Sequence, residues 1–512
     1  DAISVAGVGA SSTGAILNTS GNNTISGLVT LTGNATIGSL AGTLTFDVAS
    51  GNAFTGTFDL TFDGAGSFSI ADPIATGTGG VTKNGAGTLA MTGSNTYTGL
   101  TILNAGSLSF TRINSDNLTI SAGTTLMLGT SGVISDTASI TVYGTFDLNG
   151  YSEEVGSIAG NGLITSSRAG SPTLTVGSNN ASTTFSGVLE DGLSVVALTK
   201  TGTGTMTLGT ANTYTGVTTI NGGAISIAAD ASLGVAPGSA TSGMLVFNGG
   251  GVIASDTFEL NSKRGISLSG AGTIEVASAK TLTYNGAMTG SGGFTKAGAG
   301  TLVLGNTNLN SGSFAVNAGT VTLNLANSIA SVSSVSIADA VGATLNLNGY
   351  AQTFAGISGG GSTGGAITLG SAVLTLSPSS NSSFAGIISG TGSLVKSGTA
   401  SLILSGANTY SGGTTVSTGT LKAGVSSSGS ITSGPFGTAA VVVSSGATLD
   451  LNGYSISNAL SLSGTGDSSN GALYNSSASS SSATGAITLL ANTTIKELGG
   501  LTLGSINGAF AL

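Results

Sequence analysis

The stretch VTKNGAGTLAMTGSNTYTGLTILNAGSLSF, from Val81 to Phe110, contains two strand-like runs a fixed distance apart. Thr88-Leu89-Ala90-Met91 follows Gly87, and Ser107-Leu108-Ser109-Phe110 follows Gly106, 19 residues later. Both runs alternate apolar with mostly small polar residues, the period of a half-buried strand. Leu89/Met91 and Leu108/Phe110 share one face, and Thr88 and Ser107/Ser109 the other. Equivalent strands spaced by about 20 residues fit one coil of a parallel β-solenoid, with coils stacked at ~4.8 Å. Aliphatic residues then stack inside and threonines outside. Glycine and asparagine at the corners permit φ > 0 where the chain turns.

The stretch recurs as LTKTGTGTMTLGTANTYTGVTTINGGAISI (Leu198 to Ile227), FTKAGAGTLVLGNTNLNSGSFAVNAGTVTL (Phe294 to Leu323) and LVKSGTASLILSGANTYSGGTTVSTGTLKA (Leu394 to Ala423). The spacing of 19 returns in Gly204/Gly223, Gly300/Gly319 and Ala400/Gly419. Between the copies lies a second marker, a strand ending in Asn-Gly, at Asn149, Asn248, Asn348 and Asn452. Three of these continue into Tyr151, Tyr350 and Tyr454. The paired glycines are 99, 100 and 104 residues apart, so the array has a super-repeat near 100 residues. Further strands are predicted at Thr124 to Leu128, Thr145 to Leu148 and Thr448 to Leu451. The chain divides into coils 1–79, repeat units 80–196, 197–292, 293–392 and 393–458, and terminal coils 459–512 that resemble 1–46. At about 20 residues each, this predicts roughly 25 coils and a rod of about 120 Å. The competing architecture is a string of β-sandwiches of about 100 residues. Aromatic residues at 5% and the absence of Trp and Cys weigh against it.

Composition narrows the function classes. Of 512 residues only 6% are charged and 87 are glycine, so this is no ordinary globular domain. Regular aliphatic positions and a positive mean hydropathy argue against disorder. Proline numbers only five, which excludes collagen. Without Cys or His, disulfides, thiol catalysis and ordinary zinc sites have no ligands or nucleophiles. A net charge of −9 gives no reason to expect nucleic acid or an anionic membrane as partner. No apolar run reaches 18 residues, so no transmembrane helix is expected.

The pattern L-T-K-x-G-x-G-T-L-x-L, then N-T-Y-T-G-x-T-T-I, then x-G-x-L-x-I resembles the autotransporter-associated β-strand repeat. The match is close at 81–110 and 198–227. It departs at Asn308-Leu309-Asn310, which stands for Asn-Thr-Tyr, and at Thr399-Ala400-Ser401. The Asn-Gly-Tyr strands resemble the same family's continuation, so the likeness runs from about 80 to 512. It implies a right-handed β-helix outside the cell or on a bacterial surface, such as an autotransporter passenger. The last segment lacks the alternating, aromatic-girdled strands of a membrane barrel.

The two ends resemble each other: Ala15 to Ser20 parallels Ala472 to Ser477, and Leu28 to Ile37 parallels Ala486 to Ile495. The chain closes on Phe510-Ala511-Leu512, where other copies enter Thr-Lys or Val-Lys. Neither end carries an obvious polar cap, and bare coil edges tend to pair with another chain. Head-to-tail stacking into a filament and a fragment of a longer array are the two leading expectations, with a monomer capped in some other way as the third.

Candidate sites are few. Lys83, Lys200, Lys296 and Lys396 recur in the repeats and are expected to bond carbonyls at a corner rather than to crosslink or bind ligand. Tyr97, Tyr214 and Tyr410 are expected to cover a corner, with sugar stacking as the other use. Asn95, Asn212 and Asn408 beside them suit turn or ladder hydrogen bonds. Carboxylates cluster only at Glu153-Glu154, Glu190-Asp191 and Asp256 with Glu259. A β-helix lyase or hydrolase needs paired acids, or an acid with a base, in a groove. Arg112 with Asp116, and Lys263-Arg264 with Glu259, are the available combinations, and no catalytic residue, cofactor or metal is expected. Asp63-Gly64-Ala65-Gly66 echoes a calcium nonapeptide but reads as a turn. The outward threonine rows raise an ice-binding role, although Ala90, Val303, Ile403 and Lys422 break them. The primary expectation is therefore a non-enzymatic, extracellular structural protein that forms a fibre. The alternative is a passenger adhesin binding glycans or matrix through loops such as Ser426–Phe436 and Ser477–Gly485.

Overall fold

A computed structural model describes residues 1–429 and 431–511. Position 430 of the loop Ser426–Phe436, and position 512 after Phe510-Ala511, lie outside the described residues. The chain is an all-β parallel solenoid of about 23 turns, roughly 21 residues each. This is slightly fewer turns than 20-residue coils give, because long connections such as Ser426–Phe436 lengthen some of them. Among the described residues the only helical elements are three 3-10 turns, Ala10–Ser12, Asp230–Leu233 and Asp467–Ser469.

Two compact units can be distinguished, residues 1–239 with 244–252, and residues 240–243 with 253–512. In the first, a coil presents up to three strands, as Ser139–Val142, Thr145–Asp147 and Glu153–Val155 do. Each strand pairs in parallel with its counterpart in the next coil, Ser157–Gly160, Leu163–Thr165 and Thr173–Val176. The second unit repeats the plan with Gly356–Gly359, Ala366–Thr368 and Val373–Leu376 followed by Ser382–Phe384, Ile388–Ser389 and Ser393–Lys396. Parallel ladders of this kind are the opposite of a membrane barrel's antiparallel staves.

The register follows the spacing of 19. Leu89 lies beside Leu108, Met206 beside Ile225, Leu302 beside Val321 and Leu402 beside Leu421. All eight are buried and together form aliphatic ladders through the interior. Each fully buried aliphatic side chain contributes about 2 kcal/mol by leaving water. In the first unit Phe46, Phe54, Phe62 and Phe68 add an aromatic stack, with successive ring centroids 4.6, 5.8 and 5.1 Å apart. The glycine that opens the second strand of each copy turns the chain where a side chain has no room. Gly319 sits at φ 63°, and a Cβ there would lie 2.3 Å from the carbonyl oxygen of Gly300 one coil away.

Candidate functional site

The four repeat lysines point inward. Alternation places each one two residues after a buried apolar residue, as Leu198 precedes Lys200, so both side chains enter the same face. All four are essentially unexposed. Lys296 Nζ donates to the carbonyl oxygens of Ala297 (2.7 Å), Gly298 (2.7 Å) and, a coil further on, Ala318 (3.1 Å). Lys396 Nζ does the same with Ser397 (3.1 Å), Gly398 (2.9 Å) and Thr418 (3.1 Å). Lys200 donates to Thr201 and Gly202, and Lys83 to Gly85. Burial holds the amines of Lys83, Lys296 and Lys396 down to about 8, and lowers Lys200 as well. Each ammonium thus ties off corner carbonyls and is closed to any ligand outside.

The tyrosines are equally enclosed. Tyr97, Tyr214 and Tyr410 have no exposed surface. Their hydroxyls bond the threonine four residues on, Thr101 (2.9 Å), Thr218 (2.7 Å) and Thr414 (2.6 Å). Burial raises the Tyr97 and Tyr410 phenols well above their usual range. A ring with no free face cannot stack on a sugar. The neighbouring asparagines staple coils together. Asn408 Oδ1 accepts from the Ile388 backbone N–H (2.8 Å), while its Nδ2 donates to the carbonyl of Pro435 (2.7 Å). Asn95, Asn212 and Asn308 repeat this geometry.

The Asn-Gly markers are corner turns. Asn149, Asn348 and Asn452 adopt φ of 49°, 52° and 51°, each followed by a glycine at positive φ, the conformation asparagine tolerates best among non-glycine residues. Asn248 is not left-handed, although Gly249 is. Asn149 and Asn452 reach back one coil to the carbonyls of Leu128 (2.9 Å) and Ala423 (3.1 Å). Asn348 and Asn248 bond Asn324 and Asn221 instead. Sequence reading missed the residue two before each Asn-Gly-Tyr turn. Asp147, Asn346 and Asp450 accept from the backbone N–H of Asn149, Asn348 and Asn452 (2.8–2.9 Å). The signal was present as [DN]-L-N-G-Y.

Two of the acidic candidates have contacts that serve the fold or the surface. Glu153 is buried, and its carboxylate accepts from the backbone N–H groups of Val133 (3.1 Å) and Ile134 (2.9 Å). Burial pushes it up to about 7 despite those bonds. Arg112 bonds Asn114 (3.1 Å), and Asp256 pairs with Lys280 (2.8 Å) at the surface. No group of His, Cys, Asp or Glu suited to a metal occurs among the described residues. No described helix is long and apolar enough to cross a membrane.

The fold and its inward-facing repeat residues define a class, the parallel β-solenoid built from tandem repeats. Comparison with known proteins agrees: the passenger-associated-transport-repeat model matches residues 81–110, 198–227, 294–323 and 394–423, so the chain carries four copies of that autotransporter passenger repeat. It is also 32% identical over 366 residues to the adhesin BmaC autotransporter of Brucella suis biovar 1 (strain 1330), an alignment covering 70% of this chain and 10% of that protein. The chain thus spans about a tenth of the length of the curated relative it matches. No solved structure matches it. These similarities support a surface, passenger-type protein.

Proposed function

We propose that this chain is a non-catalytic structural length of a cell-surface passenger, an extracellular scaffold that holds binding surface away from the envelope. The observation that carries this reading is where the chemically capable repeat residues sit. The four recurring lysines, the three tyrosines and Asn95, Asn212, Asn308 and Asn408 are engaged within and between coils, so these positions contribute length and stiffness rather than groups offered to a substrate. The match to a protein named as an adhesin and autotransporter supports surface placement. Coil-on-coil pairing has no built-in stop. The scaffold extends by stacking onto further coils, either of the same polypeptide or of a second copy placed head to tail.

Electron microscopy of the purified chain at micromolar concentration tests the self-stacking form. Uniform filaments with a fixed axial repeat are its expected product. Isolated particles at every concentration would remove it and leave a passenger segment that does not polymerise. Protease shaving of intact cells tests the placement, and protection of the chain until the cells are lysed would overturn it.

A further inference from the structure

One face of the second unit is built from Ser382–Phe384, Leu402–Leu404, Gly419–Ala423, Ala447–Asp450 and Leu473–Asn475 in successive coils. A recess of about 340 Å³ opens across these coils. That lies at the low end of the ~300–1,000 Å³ typical of small-molecule sites.

Three features distinguish it from a gap between ridges. Lys422 breaks the repeat, standing where the other copies place Ser109, Ser226 and Thr322. It faces Asp450 of the next coil in register, with Nζ 3.0 Å from Oδ2. Asp450 is held rigidly, because its Oδ1 accepts from the backbone N–H of Asn452 (2.9 Å) and Ser476 (3.1 Å). The loop 464–471 then folds back against the strands. The Asp467 N–H donates to Thr448 Oγ (2.8 Å), the Thr448 hydroxyl donates to the Gly471 carbonyl (2.8 Å), and the Thr420 hydroxyl donates to Asp467 Oδ2 (3.3 Å). Finally Tyr474, beside Asp450 in the same rank, lines the recess and is only half-buried.

The charges decide the ligand class. Asp450 neutralises Lys422, and Asp467 adds a further negative charge, so phosphate, sulfate and nucleic acid are disfavoured. What remains is a set of donors and acceptors, including the side-chain amides of Asn381 and Asn470, in a recess that an aromatic ring also lines. A pyranose has the complementary layout. Its rim hydroxyls both donate and accept, and its C–H face packs on an aromatic ring. The geometry points to a binding site for an uncharged saccharide formed by Lys422, Asp450, Asn470 and Tyr474, set on a strand face rather than on the long loops. The inference rests on the surface placement proposed above only for access to such sugars.

The test is a printed array of uncharged, sialylated and sulfated glycans probed with the purified chain, followed by calorimetric titration of the best binder. Two variants accompany it, Tyr474→Ala and the double substitution Lys422→Ser with Asp450→Asn. The double variant installs residues that equivalent positions of other copies already carry, Ser109 and Asn346, so the coil retains its fold and its thermal melt serves as the control. Binding confined to uncharged glycans and weakened at least tenfold in both variants is the expected result. No glycan bound, a preference for acidic glycans, or binding undiminished in both variants would overturn the assignment. Shaving of intact cells reads surface placement independently, so failure of the recess and failure of the placement are distinguishable.

Discussion

At the scale of single residues, the third repeat shows how the interior constrains its contents. In the other copies a buried tyrosine bonds a buried threonine four residues on. Here Asn310 takes the tyrosine's place and Phe314 the threonine's, so bulk removed at one position returns at its partner. Phe314 packs on Phe294 of the preceding coil with centroids 5.1 Å apart. Asn310 is fully buried, and neither polar atom of its side chain has a partner among the described residues. Asn310→Tyr alone should overpack the site and cost about 1–3 kcal/mol. Phe314→Thr alone should open a cavity and cost about 3 kcal/mol. Together they rebuild the pair found elsewhere, and a double-mutant cycle in urea should give a favourable coupling of about 2 kcal/mol or more. Additive losses would show that the two positions do not share one space. In an intact pair, Tyr410→Phe should cost about 1 kcal/mol for the lost bond to Thr414.

Titration belongs to the same scale. Glu153 is pushed up to about 7, so between about pH 4.5 and 7 the folded chain holds a proton that the unfolded chain releases, and stability falls as pH rises. The lysine amines at about 8 act in the opposite sense. Between about pH 8 and 10 the unfolded chain keeps protons that the folded chain has lost, so stability rises. Above about pH 10 the buried tyrosines, held protonated by the fold, reverse the trend again. Thermal melts across pH 5 to 10 should therefore show a minimum near pH 7–8. Glu153→Gln should flatten the acidic limb and leave the alkaline limb intact.

At the scale of the coil, the register was legible because two runs 19 residues apart carry the same alternation, and Leu89 and Leu108 did prove to be neighbours. The turns were harder to read. Asn149 was visible as a corner, but its dependence on Asp147 was not, since a carboxylate two residues before a turn looks like a solvated outward residue until the coil above closes over it. The recess around Lys422 was hidden for a related reason. Lys422 registered only as an interruption of the threonine rows, and its partner Asp450 lies 28 residues further on in a coil whose spacing is stretched by a long loop. The glycines offer a direct test of the coil. Gly223 at φ 59°, with a Cβ position 2.2 Å from the Gly204 carbonyl oxygen, should not accept a side chain. Gly223→Ala should destabilise by about 3 kcal/mol in a denaturant titration, through backbone strain and the clash together.

For the whole molecule, cohesion comes from each coil's contact with the coils beside it, so the chain should unfold as a linear array rather than as one cooperative globule. A charge introduced at Leu302, which is fully buried, should abolish hydrogen-exchange protection in its own and adjoining coils while distant coils keep theirs. Uniform loss of protection along the chain would contradict that picture.

The inward lysines also bear on how the chain meets proteases. Trypsin-like enzymes need an accessible Lys or Arg in an extended segment. Of eleven such residues, Lys83, Lys200, Lys296, Lys396 and Arg264 are buried, and only Arg112, Arg168, Lys263, Lys280, Lys422 and Lys496 remain to be found. By burying these five cations, the chain has removed nearly half of the sites at which trypsin-like enzymes could begin to cut it.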